Sequence, residues 1–312
     1  MVKKIKLKPG VVVVEESDGI FVGHIQKKLF FTNKNMRALL RQLYEWVAID
    51  SLAALHQENL GSLSETLAQL DSADLLESRE IDLNTIECVI SHMNEIGTLL
   101  APLLVELGFQ IRTLDTRRSI ISDVRGQFIR VSDVGLSLKE ILAAQRREVR
   151  NSSQENFTLQ INDNPRTLVI LTAYPEPELL ASLMSEGLEF ISALATPFGA
   201  LIGPLVKPGI SPCFHCVELE RSDRDSNWQK IAATLFMERN QKVAMPSALL
   251  AVAILTQFLP GFQESEIPHQ MLGATLSLVI GNSSKPSSEL TIESTWEKWR
   301  FHPACLARVE SG

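Results

Sequence analysis

Residues 86–97 read Ile86-Glu-Cys-Val-Ile90-Ser-His-Met-Asn94-Glu-Ile-Gly97. A short apolar run gives way to a polar turn, and the turn to the first residues of a helical pattern. Ile96, Leu99, Leu100, Leu103, Leu104 and Leu107 continue on one side at helical spacing. Gly108 closes that helix, and Gln110 to Leu114 reads as the next strand, ended by Asp115. Downstream, Phe128 to Val131 reads as a strand, Leu138 to Val149 as a helix and the polar Asn151 to Asn156 as a loop. Thr167 to Thr172 reads as a buried strand, Glu178 to Ser185 as a helix and Glu189 to Ala195 as a strand. The order β-α-β-β-α-β predicts an α/β unit, a Rossmann-like mostly parallel sheet covered by helices.

In such a fold the first strand-to-helix turn holds phosphate. It needs glycines there, because side chains keep the backbone amides from the anion. The turn here keeps only Gly97, and Glu95 puts negative charge where phosphate would sit. Binding of ATP in the usual manner is therefore not expected. Asp115 ends the second strand, where an acid can bind a ribose hydroxyl; an Asp at a strand end also forms turns by itself.

Upstream, Val11 to Val14 and Ile20 to Thr32 are β-rich, and Met36 to Val47 carries apolar residues at helical spacing. Ser62 with Glu65 reads as a capping box for a further helix. Strands and short helices over some 80 residues predict a winged-helix-like α+β module at 1–80, followed by the α/β domain at 81–312. No basic recognition helix accompanies it, so DNA binding by a winged-helix regulator is the weaker reading.

Composition narrows the function classes. The chain has 312 residues and a net charge of −7. General nucleic-acid binding is not expected of an acidic chain. The basic cluster Lys3, Lys4, Lys6, Lys8 reads as a solubilising strand or tail. The apolar run from Val11 stops at Glu15 and Glu16, so no secretory signal is read, and Ala244 to Leu259 reads as a buried helix and not a membrane span. Four cysteines in a chain this long do not make a disulfide scaffold, which points to the cytoplasm. No local motif supports Ser–His–Asp chemistry.

The densest motif is Gly203-Pro-Leu-Val-Lys-Pro-Gly-Ile-Ser-Pro-Cys213-Phe-His-Cys216. A Cys-x-x-Cys pair sets two thiolates at the bite a tetrahedral zinc needs. Cys305, in His302-Pro-Ala-Cys305, is the candidate third ligand, and His302 or His215 the fourth. A zinc knuckle and a vestigial knuckle with free thiols both remain open. A redox Cys-x-x-Cys is disfavoured, because the pair is not read as opening a helix after a strand. Cys88 lies within an apolar strand and reads as a small core residue. Glu218 to Asp225 is a mixed-charge run, either a solvated helix face or a structural Arg–Asp network.

Gly203-Pro204, Pro208-Gly209, Pro212-Cys213 with Cys216, Arg221-Ser-Asp-Arg-Asp225 and Trp228 resemble the ThiF/MoeB (ubiquitin-activating-like) superfamily. The branch is that of the leader-peptide-binding proteins found beside YcaO cyclodehydratases in thiazole/oxazole-modified peptide (RiPP) biosynthesis. His302-Pro303-x-Cys305 is similar to that branch's closing His-Pro-x-Cys-x-Cys, with Ala307 in place of the last cysteine. Asp133-Val134-Gly135, Lys139 and Ala143-Ala144 are similar to its helix start. The resemblance covers about residues 86–308, and its specific motifs lie in the second half.

Several expectations follow from the resemblance. Asp115 and Lys139 mark a vestigial nucleotide site, and Cys213, Cys216, Cys305 and His302 the Zn2+ ligands. Ile20 to Phe31, with Phe21, Phe30 and Phe31, is the candidate edge for a precursor leader peptide added as a strand; the same aromatics also suit a core. The implied role is a homodimeric, non-catalytic leader-peptide-binding scaffold, a pseudo-adenylyltransferase whose YcaO partner uses ATP itself. The alternative is an active ATP-dependent ThiF-like adenylyltransferase acting on a peptide or a ubiquitin-like C-terminus.

Overall fold

The computed structural model describes residues 2–33, 36–45, 47–55, 60–81, 86–107, 109–124, 129–144, 166–238, 242–263, 270–281 and 291–305. The chain divides into two compact units, Met1–Leu83 and Asn84–Gly312.

The first unit is α+β. Strand β1 (Val2–Leu7) lies between β5 (Val47–Ala48) and β6 (Leu76–Ile81), antiparallel to both. The lysine-rich start is thus a central strand. Ile5 and Leu7 alternate into the core, while Lys6 pairs outward with Glu77. A second antiparallel sheet has the order β2 (Val12–Glu15), β3 (Ile20–Gly23), β4 (Lys28–Phe31). Three helices complete the unit: α1 (Arg37–Gln42), α2 (Ile49–Leu55) and α3 (Leu60–Ser72). Ile20, Val22, Phe31, Leu39, Leu40, Leu43, Leu52 and Leu70 share one core.

Two local expectations in this unit change. The helix read over Met36 to Val47 stops at Gln42, because Leu43 turns its carbonyl to the Leu7 amide and Val47 is drawn into β5. Ser62 lies inside α3 and not at its cap.

The second unit carries a seven-stranded sheet. Its parallel half has the order β8 (Gln110–Thr113), β7 (Glu87–Ile90), β9 (Thr167–Leu171), β10 (Glu189–Thr196). The other strands, β11 (Gly199–Val206), β12 (Ala274–Gly281) and β13 (Thr291–Lys298), follow antiparallel. Strands β7, β8, β9, β10 and β12 run one way, so the sheet is mostly parallel in direction. Its antiparallel half comes from hairpin connections that short turns such as Pro197-Phe198 permit.

Both faces are covered. Helix α4 (Glu95–Glu106), residues 138–144 (α5) and the long α9 (Met245–Gln263) bury the face that carries Cys88, Ile90, Leu168 and Ile170. Ala248, Ala251, Val252, Leu255 and Leu259 of α9 enter this core. The apolar run at Ala244 is therefore a buried helix, and among the described residues no helix is long and apolar enough to cross a membrane. The opposite face, with Val89, Val169 and Leu171, packs against α6 (Pro177–Ser185) and α7 (Phe214–Arg224). A surface helix, α8 (Trp228–Met237), follows α7.

The chain visits β7, then β8 to one side, then returns to β9 on the other. The switch point, where open α/β sheets bind ligands, falls at the carboxyl end of β7. The strand read over Phe128 to Val131 does not form among its described residues: Val131 opens a turn of 3-10 helix, Val131–Asp133, because the Asp133 side chain caps the Arg130 amide. Phe128, Gly108 and Asn151 to Asn156 lie outside the described residues.

Candidate functional site

The turn at the switch point is closed by side chains, Asn94 of its own and Thr172 and Asp115 from the ends of neighbouring strands. Asn94 caps α4, its Oδ1 accepting the Gly97 amide at 3.1 Å, while its Nδ2 donates to the Thr172 carbonyl. The Thr172 hydroxyl accepts the His92 amide at 3.2 Å and donates to the His92 carbonyl. Asp115 Oδ2 accepts the Met93 amide at 3.0 Å. The amides of His92, Met93 and Gly97 are therefore already bonded to protein oxygens. Glu95 stands in the first turn of α4, so a carboxylate occupies the positive end of the helix.

Gly97 keeps a packing role. A Cβ there would lie 2.3 Å from the His92 carbonyl oxygen, so only glycine lets the helix approach the turn this closely.

Asp115 is engaged as well. Its Oδ1 accepts the Arg117 amide and its Oδ2 the Arg117 Nε, both at 3.0 Å. Arg117 also reaches Asp123 at 2.6 Å and donates to the Met93 carbonyl. The two carboxylates beside it hold the guanidinium above its ordinary pKa, against the desolvation that opposes the charge. Sequence reasoning found Asp115 but missed Arg117 and Asp123. The available signal was an arginine two residues beyond an acid at a strand end. Lys139 is exposed on the first turn of α5, while its neighbours Leu138, Ile141 and Leu142 enter the core.

A second constellation lies on the opposite face of the sheet. Cys213, Cys216 and Cys305 are buried, and their sulfurs all lie within 4.8 Å of one another. Cys213 sits 3.7 Å from Cys216 and 3.4 Å from Cys305, too far for a disulfide and close to the ~3.8 Å edge of a tetrahedron with Zn–S near 2.3 Å. Cys213 is the N-cap of α7 and Cys216 lies in its first turn, so the pair does open a helix after a strand. The glycines and prolines upstream suggested a loop, but Phe214 and Val217 pack into the core and wind the segment into a helix. The Cys213 thiol donates to the Cys216 sulfur. That bond and burial push the Cys213 thiol up, and the same bond lowers the Cys216 thiol to about 5.

His302 does not join the three sulfurs. Its Nε2 bonds Asp223 at 2.9 Å, and its Nδ1 accepts the Ala304 amide. It anchors the closing segment to α7, which brings Cys305 to Cys213. His215 is exposed. Ala307 lies outside the described residues. The charged run after Cys216 forms a network: Arg221 stacks on Trp228 and Trp299, and Arg224 pairs with Glu220 and Glu297.

The three aromatics of the first unit separate. Phe21 and Phe30 pair across β3 and β4 with ring centroids 4.7 Å apart, and Phe30 stays 40% exposed. Phe31 points the other way, into the core. The His24–Lys27 backbone bond sets the alternation, so Lys28 and Phe30 turn their N–H and C=O groups away from β3. On the other edge the Val13 amide is capped by the Tyr44 hydroxyl at 2.9 Å. Strand β4 is thus the open edge of this sheet among the described residues.

The topology and the switch-point turn define an α/β protein with a mostly parallel seven-stranded sheet and an N-terminal α+β unit. Solved structures of E. coli MccB share it: one superposes with a TM-score of 0.52 at 16% identity over 97% of this chain and 96% of that one. E. coli MccB with ATP gives 0.51 at 18% identity, covering 97% and 99%. The microcin C7 biosynthetic enzyme MccB in complex with N-formylated MccA gives 0.52 at 15% identity, again covering 97% and 99%. Identities this low establish the fold. No family profile and no curated protein sequence matches the chain.

Proposed function

We propose that this chain is a non-catalytic scaffold of modified-peptide biosynthesis. It binds an extended precursor peptide on its first unit and does not adenylate it. The observation that carries the reading is the switch-point turn, where the amides of His92, Met93 and Gly97 are spent on Thr172, Asp115 and Asn94. A nucleotide would have to break these bonds and face Glu95. The likeness in fold to MccB, solved with MccA and with ATP, supports a peptide as partner and names the competing reading, an adenylating enzyme. The two separate on nucleotide binding. We expect ATP with magnesium to leave the melting temperature within about 1 °C, where occupancy at a hundred times Kd would stabilise by ~2.7 kcal/mol. A rise of several degrees, or ATP–pyrophosphate exchange abolished in Asp115→Ala, would sink the scaffold reading.

The peptide would extend the sheet at β4. Main-chain bonds to Lys28 and Phe30 would give affinity, and the exposed stripe Val14, Phe21, Phe30 would receive alternate side chains. A YcaO-type cyclodehydratase and a second copy of the chain complete the proposed assembly. Lys28→Pro removes one outward donor without touching a β3–β4 bond. For a precursor peptide that the wild-type chain binds, Lys28→Pro and Phe30→Ala should each weaken binding by roughly tenfold. Calorimetry showing unchanged affinity in both variants would place the peptide elsewhere.

Three buried thiols at this spacing suit zinc, and we propose Cys213, Cys216 and Cys305 as its protein ligands. The metal would tie the closing segment to α7 as a structural element.

A further inference from the structure

A cavity of about 580 Å³ opens beside the cysteine cluster, on the face of the sheet away from α4 and α9. It belongs to neither the switch-point turn nor the β4 edge. Its walls come from α6, α7, α8 and the segment that follows β9. Phe190, Leu180, Met184 and Phe236 make it apolar. Tyr174 and Glu218 also line it.

Tyr174 donates its hydroxyl proton to Glu218 Oε2, which the Trp228 indole N–H also reaches at 2.9 Å. The tyrosine's donor is spent, so its oxygen is left to accept, and the bond to a carboxylate strengthens it as an acceptor. Glu218 Oε1 also lies 3.5 Å from Arg221 Nη1, so this carboxylate is paired as well as hydrogen-bonded. The site is also preformed. Pro175 and Pro177 restrict the segment on one side, and the Tyr174 ring packs edge-on against Phe214 at 5.8 Å. The volume lies within the range of small-molecule sites, which are mostly apolar with a few placed polar groups.

We propose that this cavity binds a small aromatic molecule with a hydrogen-bond-donating head, an arylalkanol or arylalkylamine, whose head donates to the Tyr174 oxygen. Burial and the Glu218 bond hold the Tyr174 hydroxyl protonated well above the ordinary phenol range, so the acceptor geometry persists at any working pH. Carboxylic acids with the same aromatic body are ionised, carry no proton for the Tyr174 oxygen, and would lose hydration in an apolar cavity. A ligand here would bridge α6 to α8, an apolar helix that buries none of its residues fully.

The test uses the full chain and four probes with one ring system: tryptophol, tryptamine, 3-ethylindole and indole-3-propionate. Calorimetry should give saturable one-to-one binding of the first two. 3-Ethylindole should bind roughly tenfold more weakly and indole-3-propionate more weakly still. Ala233→Phe places a ring in the cavity and should abolish binding of all four. Tyr174→Phe keeps the ring and removes the acceptor, so it should weaken tryptophol and tryptamine to the level of 3-ethylindole and leave 3-ethylindole unchanged. The proposal is overturned if no probe saturates, if binding survives Ala233→Phe, or if the acid binds as well as the alcohol. Should Ala233→Phe fail to fold, the Tyr174→Phe series decides: equal losses for tryptophol and 3-ethylindole reject the donor-head assignment.

Discussion

Replacing Arg117 by Met is expected to destabilise the second unit by about 2–4 kcal/mol, enough to lower its melting temperature by several degrees. The side chain of Arg117 bonds Asp115 at 3.0 Å and Asp123 at 2.6 Å, and it reaches the Met93 carbonyl. The carboxylates are the buried members: the Asp115 and Asp123 side chains are 9% and 8% exposed, and Arg117 is 37% exposed. Removing the cation leaves two buried negative charges facing each other. That cost exceeds the loss of the hydrogen bonds alone, and the solvent at Arg117 keeps it near the lower part of the range for buried pairs. Arg117→Lys should recover less than half, since an ammonium cannot span both carboxylates and the carbonyl with a fixed fork. Urea titration measures both variants. A loss below about 1 kcal/mol for Arg117→Met would show that the cluster does not brace the switch-point turn. The same variants carry a functional reading. If the turn is braced for shape alone, loosening it should not create nucleotide binding. A thermal response to ATP that appears only in Arg117→Met would mean that the brace had masked a competent site.

The α/β unit was legible because its signals are local. Ile86 to Ile90, Ile96 to Leu107 and Thr167 to Leu171 each carry their own period or apolar run, and each forms the expected element. That the first strand-to-helix turn is poor in glycine was legible from the sequence. What fills it was not, because Thr172 and Asp115 arrive from β9 and β8, far along the chain. The same limit explains Arg117 and Asp123, whose meaning depends on two carboxylates converging. Phe31 was misplaced with Phe21 and Phe30, since strand alternation separates faces only once the register of β4 is known. The strand read over Phe128 to Val131 failed at its end, because Val131 opens a 3-10 turn whose Asp133 caps the Arg130 amide, and apolar Val131 hid that. The cysteine triad was readable by residue type. Its fourth member was not, because His302 is drawn to Asp223 by a contact across 79 positions.

Replacing Cys305 by Ser should release the metal and lower the melting temperature by roughly 10 °C, the second large effect expected of this chain. Three buried thiols within 4.8 Å of one another are costly to leave together without a cation if more than one ionises. Metal analysis of protein purified without chelator should give about one zinc per chain. Cys213→Ser and Cys216→Ser should lose it too, while His302→Ala should retain it, since His302 bonds Asp223 and not the cluster. His302→Ala is informative for another reason. It removes one of the ties between residues 291–305 and α7, beside Arg224–Glu297 and Arg221–Trp299, so it should soften the closing segment without emptying the site. Wild-type protein free of metal and unmoved by EDTA would instead assign the triad to packing: Cys213, Cys216 and Cys305 would then be small apolar side chains among Val89, Leu171 and Phe214. In that case Cys305→Ser should cost only about 1–2 kcal/mol, the penalty of burying a hydroxyl where a thiol fitted. The difference between the two losses is large enough for one melting curve, taken beside one metal assay, to decide whether this unit is closed by a metal or by contacts alone.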